Sequence, residues 1–178
     1  MNLKNKRTIF REILGYLVVA VIAVLFAVVL RIFVIEPYKV PSPSMSPTLL
    51  VGDRVIVNKL KYKFDSIKRG DLVAIYSPIE NKNLVKRVVA LPGEKVDLTE
   101  NGKIYIDDVL LEEDYIPEDI YPSYEDSSFI VEKGKYFVMG DNRNNSADSR
   151  VFGTIGMDGI FGKIVFIYGP ISRIGVVN

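Results

Sequence analysis

Eighteen consecutive uncharged residues, Ile13 to Leu30, dominate the start of the chain, and after Arg31 the apolar run resumes through Ile32, Phe33, Val34 and Ile35. At 1.5 Å per residue such a run reaches across the ~30 Å hydrocarbon core of a bilayer, with Arg31 able to snorkel to the interface. It is apolar around its whole circumference, which does not suit a helix that packs a single stripe on a core. A cleaved signal peptide is the competing reading. Its apolar region should be ~7 to 15 residues long and end in a small-x-small site, whereas this run ends in bulky Arg31-Ile32-Phe33-Val34-Ile35. Residues 13–35 therefore read as one transmembrane helix and residues 1–12 as a basic arm. Lys4, Lys6, Arg7 and Arg11 against Glu12 alone favour a cytoplasmic N-terminus, with residues 36–178 extracytoplasmic, although Arg31 and Lys39 on the other flank weaken the bias.

A length of 178 residues leaves room for one domain of ordinary size beyond the anchor. The chain has no Cys, no His and no Trp. That excludes Ser-His-Asp triads, Cys-His dyads, disulfides and any cysteine or imidazole metal site, so an enzyme built from this chain must draw its acid and base from Lys, Asp, Glu or Tyr. With 23 basic and 22 acidic side chains there is no global basic field to attract nucleic acid. Eleven acids face the single Lys103 between residues 100 and 132, a composition usual for a solvated face or a loop.

Beyond Pro37 the chain turns to Pro, Ser, Gly and short β-prone runs. Strands are predicted over 55–59, 71–76, 84–91, 95–98, 103–106, 129–131, 136–139 and 163–168. Asn101-Gly102 between two of these is the signal for a hairpin with a type I′ turn. The expected fold is mainly β, a transmembrane helix followed by an antiparallel sheet or barrel-like domain, with an acidic excursion at about 107–128 that reads as solvated or equally as a loop over a groove.

Three segments carry residues that could do chemistry. Pro41 to Leu49 sets Ser42, Ser44 and Ser46 among three prolines just outside the membrane; Pro stiffens itself and the residue before it, so an extended loop could hold a hydroxyl in a fixed pose, although a plain linker would read the same. In Asn83 to Leu91, period two puts Lys86 with Leu84, Val88 and Ala90, and Arg87 with Val85, Val89 and Leu91. Both faces are apolar, so one cation should be buried, and burial disfavours the ammonium form of a lysine, the condition for a general base. An edge strand with Lys86 snorkelling to solvent is the alternative. Gly140 to Arg150 is a polar run that could orient a catalytic group or simply form a surface loop, with Asp148 and Arg150 able to pair.

Taken together, the anchor, PSPSMSPTLLVGDRVIV at 41–57, RGDLVAI at 69–75, LVKRVVALPGE at 84–94 and GDNRNNSADSR at 140–150 closely resemble bacterial type I signal peptidases in their compact, one-span Gram-positive form. The resemblance covers essentially the whole chain. It implies a membrane-bound serine endopeptidase with a Ser-Lys dyad that removes signal peptides from exported pre-proteins. Ser44 would be the nucleophile, Lys86 the general base, Ser42 an oxyanion donor beside the Ser44 N–H, Ser146 the hydroxyl that positions the lysine amine, and Asp148 with Arg150 a supporting ion pair. No metal or cofactor is implied; the partners would be pre-proteins, the lipid bilayer and the secretion translocon. One departure is Asn144, where the family often has Asp. A repressor-type Ser-Lys protease shares the dyad logic, but the apolar run and the lack of a DNA-binding module argue against it. A membrane-anchored binding domain would need the Ser/Pro segment to be only a linker.

Overall fold

The computed structural model describes residues 3–79, 82–117 and 122–177, with side chains from Arg11 onward. Helix α1 spans Leu3–Phe33, and its Arg11–Phe33 part, which holds an 18-residue window with a mean hydropathy of 3.1, is long and apolar enough to cross a membrane. It begins inside the expected basic arm because no Pro or Gly interrupts the chain before Gly15; residues 1 and 2 of that arm lie outside the described residues. It ends two residues short of the expected Ile35, because Ile35 is already paired with Asn58 in a sheet.

Strands follow as β1 (Ile35–Lys39), β2 (Arg54–Asn58), β3 (Leu72–Tyr76), β4 (Asn83–Ala90), β5 (Lys95–Leu98) and β6 (Ile104–Ile106), then β7 (Val109–Leu110), β8 (Ser127–Ile130), β9 (Lys135–Met139), β10 (Ile155–Gly156), β11 (Ile160–Gly169) and β12 (Gly175–Val176). Short helices α2 (Lys61–Phe64) and α3 (Ser149–Phe152) interrupt them. The larger sheet has the order β1-β2-β11-β3-β4-β9-β10, with β12 paired to β11, and the smaller the order β7-β6-β5-β8. Every pairing is antiparallel, as expected of a mainly β domain. Register shifts in β11 and between Val88 and Ala90 of β4 bend the larger sheet.

Each predicted strand is present within a few residues, but β1 was hidden by the apolar run before it and by Pro37. Strand β3 is apolar without alternation because both its faces are covered: Leu72 and Ala74 pack with Met45, Leu49, Val55 and Ile164, while Val73 and Ile75 pack with Tyr62, Val88 and Val138. Asn101-Gly102 does connect β5 to β6, yet not as a two-residue turn. The connection runs from Thr99 to Lys103, closed by the Thr99 N–H on the Lys103 carbonyl at 3.0 Å, and only Gly102 takes a positive φ. The turn with two positive-φ residues falls one hairpin later, at Asp107 (49°) and Asp108 (67°) between β6 and β7.

Candidate active site

Ser44 sits on a single 3₁₀ turn, Pro43–Met45, rather than on an extended loop. Ser42 (φ −136°) and Ser46 (φ −65°), each preceding a proline, are extended as the proline rule requires. Pro43 itself starts the turn, where its fixed φ and missing N–H cost nothing. Met45 and Leu49 are buried in the core beneath, which leaves Ser44 on the half-buried outer side of the turn. Its neighbour Ser42 lies with Oγ 3.3 Å from Ser44 Oγ.

Strand β4 presents Lys86 and Arg87 to opposite faces, and both are buried, at 1% and 2% exposure, where alternation had predicted one. Each has its own satisfied surroundings. Lys86 Nζ donates to Ser146 Oγ at 2.9 Å. Arg87 makes a two-pronged pair with Asp141, Nε to Oδ1 at 2.9 Å and Nη2 to Oδ2 at 2.7 Å, and donates through Nη1 to the Gly70 carbonyl at 2.9 Å. Thr48, four residues beyond Ser44, donates to Asp141 Oδ2 at 2.5 Å.

The polar run after β9 joins these parts. A Cβ built on Gly140 would come within 2.3 Å of Ser146 Oγ and 2.4 Å of the Ser44 carbonyl oxygen, so the serine turn and the lysine's partner meet over a residue with no side chain. Asn142 adds two bonds to the turn, its N–H to the Ser44 carbonyl at 3.0 Å and Nδ2 to the Pro43 carbonyl at 3.2 Å. Asp148 is fully buried and grips Arg150 with two bonds of 2.7 Å while accepting from the Gly140 N–H at 3.0 Å. Burial alone would raise the Asp148 carboxyl; the Arg150 guanidinium, the Gly140 N–H and a hydrogen bond from Ser146 outweigh it and hold it below the usual range. The Ser146 hydroxyl thus has an acceptor in Asp148 and a donor in Lys86 Nζ, which fixes where the amine sits. All of the expected residues, Ser42, Ser44, Lys86, Ser146, Asp148 and Arg150, come into one neighbourhood. Asn144 lies at its exposed edge and accepts the Ser123 N–H at 3.2 Å.

Sequence reasoning missed a further buried cation. Arg143 is 1% exposed and forks onto Glu113 at 2.7 and 2.5 Å, with Tyr124 OH at 3.1 Å and the Gly140 carbonyl at 3.1 Å. The Tyr115 ring neighbours both guanidiniums, its centre 3.9 Å from Arg87 and 5.9 Å from Arg143. Burial lowers the Arg143 pKa, but Glu113 overcompensates and keeps the cation charged. Part of the acidic excursion is therefore a docked prop behind the site rather than a solvated loop; its residues 118–121 lie outside the described residues. Removing one partner of such a pair strands a buried charge. Glu113→Ala should destabilise the domain by about 3 to 5 kcal/mol in urea unfolding, and Glu113→Gln by less, because it keeps one hydrogen bond. Unchanged stability in Glu113→Ala would show the pair to be ornamental.

A shallow depression beside Ser44 is walled by Tyr38, Val40, Met45, Leu84 and Val85. It ties the serine turn to the start of β4, where Tyr38 OH donates to the Asn83 carbonyl at 2.9 Å.

Residues 13–169 match the family described as signal peptidase, peptidase S26. A probable signal peptidase I-1 of Synechocystis sp. is 42% identical over 162 residues, which cover 86% of this chain and 81% of that protein. Signal peptidase IB of Staphylococcus aureus is 33% identical over 179 residues, 92% and 93% of the two chains. A crystal structure of a signal peptidase I from Enterococcus faecalis is 31% identical and covers 56% of this chain and 97% of its own, with a TM-score of 0.49.

Proposed function

Because this chain belongs to the signal peptidase family, peptidase S26, we propose that Ser44 and Lys86 are the dyad by which it hydrolyses signal-peptide-bearing pre-proteins. It is a signal peptidase I hydrolase. The observation that carries the dyad is the buried Lys86 amine, held by Ser146 Oγ at 2.9 Å, with Ser146 packed over Gly140 against the Ser44 carbonyl.

In the neutral state the amine donates one N–H to Ser146 and turns its lone pair toward the serine hydroxyl. Lys86 Nζ takes the Ser44 proton as Oγ bonds to the scissile carbonyl carbon. The Ser44 N–H and the Ser42 hydroxyl stabilise the oxyanion. Collapse breaks the C–N bond, and Lys86 returns the proton to the leaving amine, leaving an acyl group on Ser44. Lys86 then takes a proton from water as the water attacks the ester, and gives it back to Ser44 Oγ as the signal peptide leaves with a free carboxylate. The depression walled by Tyr38, Val40, Met45, Leu84 and Val85 would accept a small side chain before the cut and exclude a larger one.

We place the active site on the extracytoplasmic side of a single span formed by α1, with the translocon a candidate neighbour. Shared confinement to one surface then raises the effective concentration of a pre-protein whose signal helix is still in the bilayer. Detergent-solubilised protein incubated with a model pre-protein should yield two products whose masses put the cut after a small residue. An intact pre-protein would overturn the reading. For orientation, the absence of native Cys makes engineered thiols clean reporters. A membrane-impermeant thiol reagent on intact cells should label a Cys replacing Asn178 and spare one replacing Asn2; the reverse pattern refutes the orientation.

A further inference from the structure

We propose that the corner Lys59–Phe64 is an interfacial foot that seats in the headgroup layer of an anionic bilayer, with Phe64 reaching the upper acyl chains and Lys63 facing the phosphates. The inference rests on reading α1 as a membrane span.

The corner is fixed at the level where that span ends. The Lys59 N–H donates at 2.9 Å to the carbonyl of Val34, the residue directly after the last helical residue Phe33. Ile32 and Phe33 of α1 line one cavity with Lys59, Tyr62 and Lys63. Wherever the helix emerges, these residues emerge with it. The corner is also rigid: Asn58 Oδ1 accepts the N–H groups of Leu60 and Lys61 at 3.0 Å each, and the buried Tyr62 donates to Asp71 Oδ2 at 2.9 Å.

A rigid corner has no need to present a large apolar ring to water, yet Phe64 is 86% exposed, and Met157, which lines the same cavity as Tyr62 and Lys63, is 44% exposed. A single exposed hydrophobic residue is common on any protein. Here it is flanked by Lys61, Lys63 and Lys68, with Lys59 just before them. Lys59 pairs with Glu36 at 3.4 Å and Lys61 with Asp65 at 2.6 Å, while Lys63 and Lys68 are exposed. An aromatic ring among lysines, on a corner whose first residue is bonded to the residue just past the end of a span, is the composition that settles at a lipid-water interface, where the ring enters the chains and the ammonium groups meet anionic phosphate.

The absence of native Trp allows a direct test with the full chain. Three single-tryptophan proteins, Phe64→Trp, Phe26→Trp in the span and Val109→Trp on the smaller sheet, are reconstituted in phosphatidylglycerol-phosphatidylcholine vesicles carrying brominated acyl chains. Phe64→Trp should show blue-shifted emission, quenched most by bromines near the headgroup end of the chain. Phe26→Trp should be quenched by deeper bromines and Val109→Trp by neither. Quenching at Phe26 with none at Phe64 overturns the foot while sparing the anchor; no quenching at Phe26 removes the anchor and the foot together. Adding Lys63→Glu to Phe64→Trp should weaken the quenching in anionic vesicles and not in pure phosphatidylcholine. Equal quenching in both would overturn the assignment of anionic headgroups.

Discussion

Ser44→Ala should lose pre-protein cleavage by on the order of 10⁴-fold or more, because the proposed nucleophile is removed outright. Its fold should be intact. Ser44 is half-buried at the outside of a turn anchored by Met45 and Leu49, so deleting its hydroxyl opens no core cavity. Ser46→Ala is the matched control, a half-buried hydroxyl two residues away and past the turn, and it should retain most activity. Product formation followed by mass spectrometry, with circular dichroism melts of both variants, distinguishes the outcomes. Wild-type turnover in Ser44→Ala would eliminate the proposed nucleophile.

Lys86→Arg should be inactive, by at least about 10³-fold, although it keeps the positive charge, because a guanidinium does not give up its proton in a protein. Since an arginine could crowd so buried a position, Lys86→Met supplies a close-fitting neutral variant that should also be dead. For wild type, a base must be in its free-amine form to accept the Ser44 proton, so kcat/KM should rise with pH along an acidic limb that is absent from Lys86→Arg. Ser146→Ala should lower kcat more than it changes KM, since it leaves Ser44 in place but releases the amine from its 2.9 Å partner. Substantial activity in Lys86→Arg would mean that this position supplies charge alone, and the Ser-Lys mechanism would fall.

What could be read from the residues, and what could not, divides along sequence distance. A lysine in Leu84-Val85-Lys86-Arg87-Val88 announces itself because a cation amid β-branched residues must be buried or paired, and the absence of His leaves few other bases. The strands of the domain follow from local pattern and were found within a few residues. The local Asp148–Arg150 pair was legible, but the long-range ion pairs were not. Glu113 stands in a run of acids that looks like a solvent-facing loop, and its partner Arg143 lies 30 residues away in the chain. Arg87 and Asp141 are separated by 54. Glu113, Arg143 and Asp141 each resemble a surface residue when read alone, and only the tertiary fold brings the partners together. The serine turn failed for a different reason: the proline rule correctly extends Ser42 and Ser46, but the same proline favours the helical turn between them. Likewise, the hairpin signal at Asn101-Gly102 lost to Thr99, whose hydroxyl accepts the Lys103 N–H at 3.2 Å and holds a wider connection.

The place of β11 sets a timetable for the enzyme. Ser44 belongs to the half of the larger sheet made by β1 and β2, Lys86 to the half made by β3, β4 and β9, and the only strand laddered to both halves, among the described residues, is β11 at positions 160–169. Along the chain the proposed nucleophile comes first, the proposed base some forty residues later and the start of the bridging strand more than seventy residues after that. Until Ile160 and its successors slide between β2 and β3, the two reactive side chains ride on sheet fragments with no hydrogen-bonded ladder to hold them in register. A chain in which this strand has not yet paired would hold the proposed dyad in two unladdered parts, so hydrolytic competence should arrive only with the closing strand.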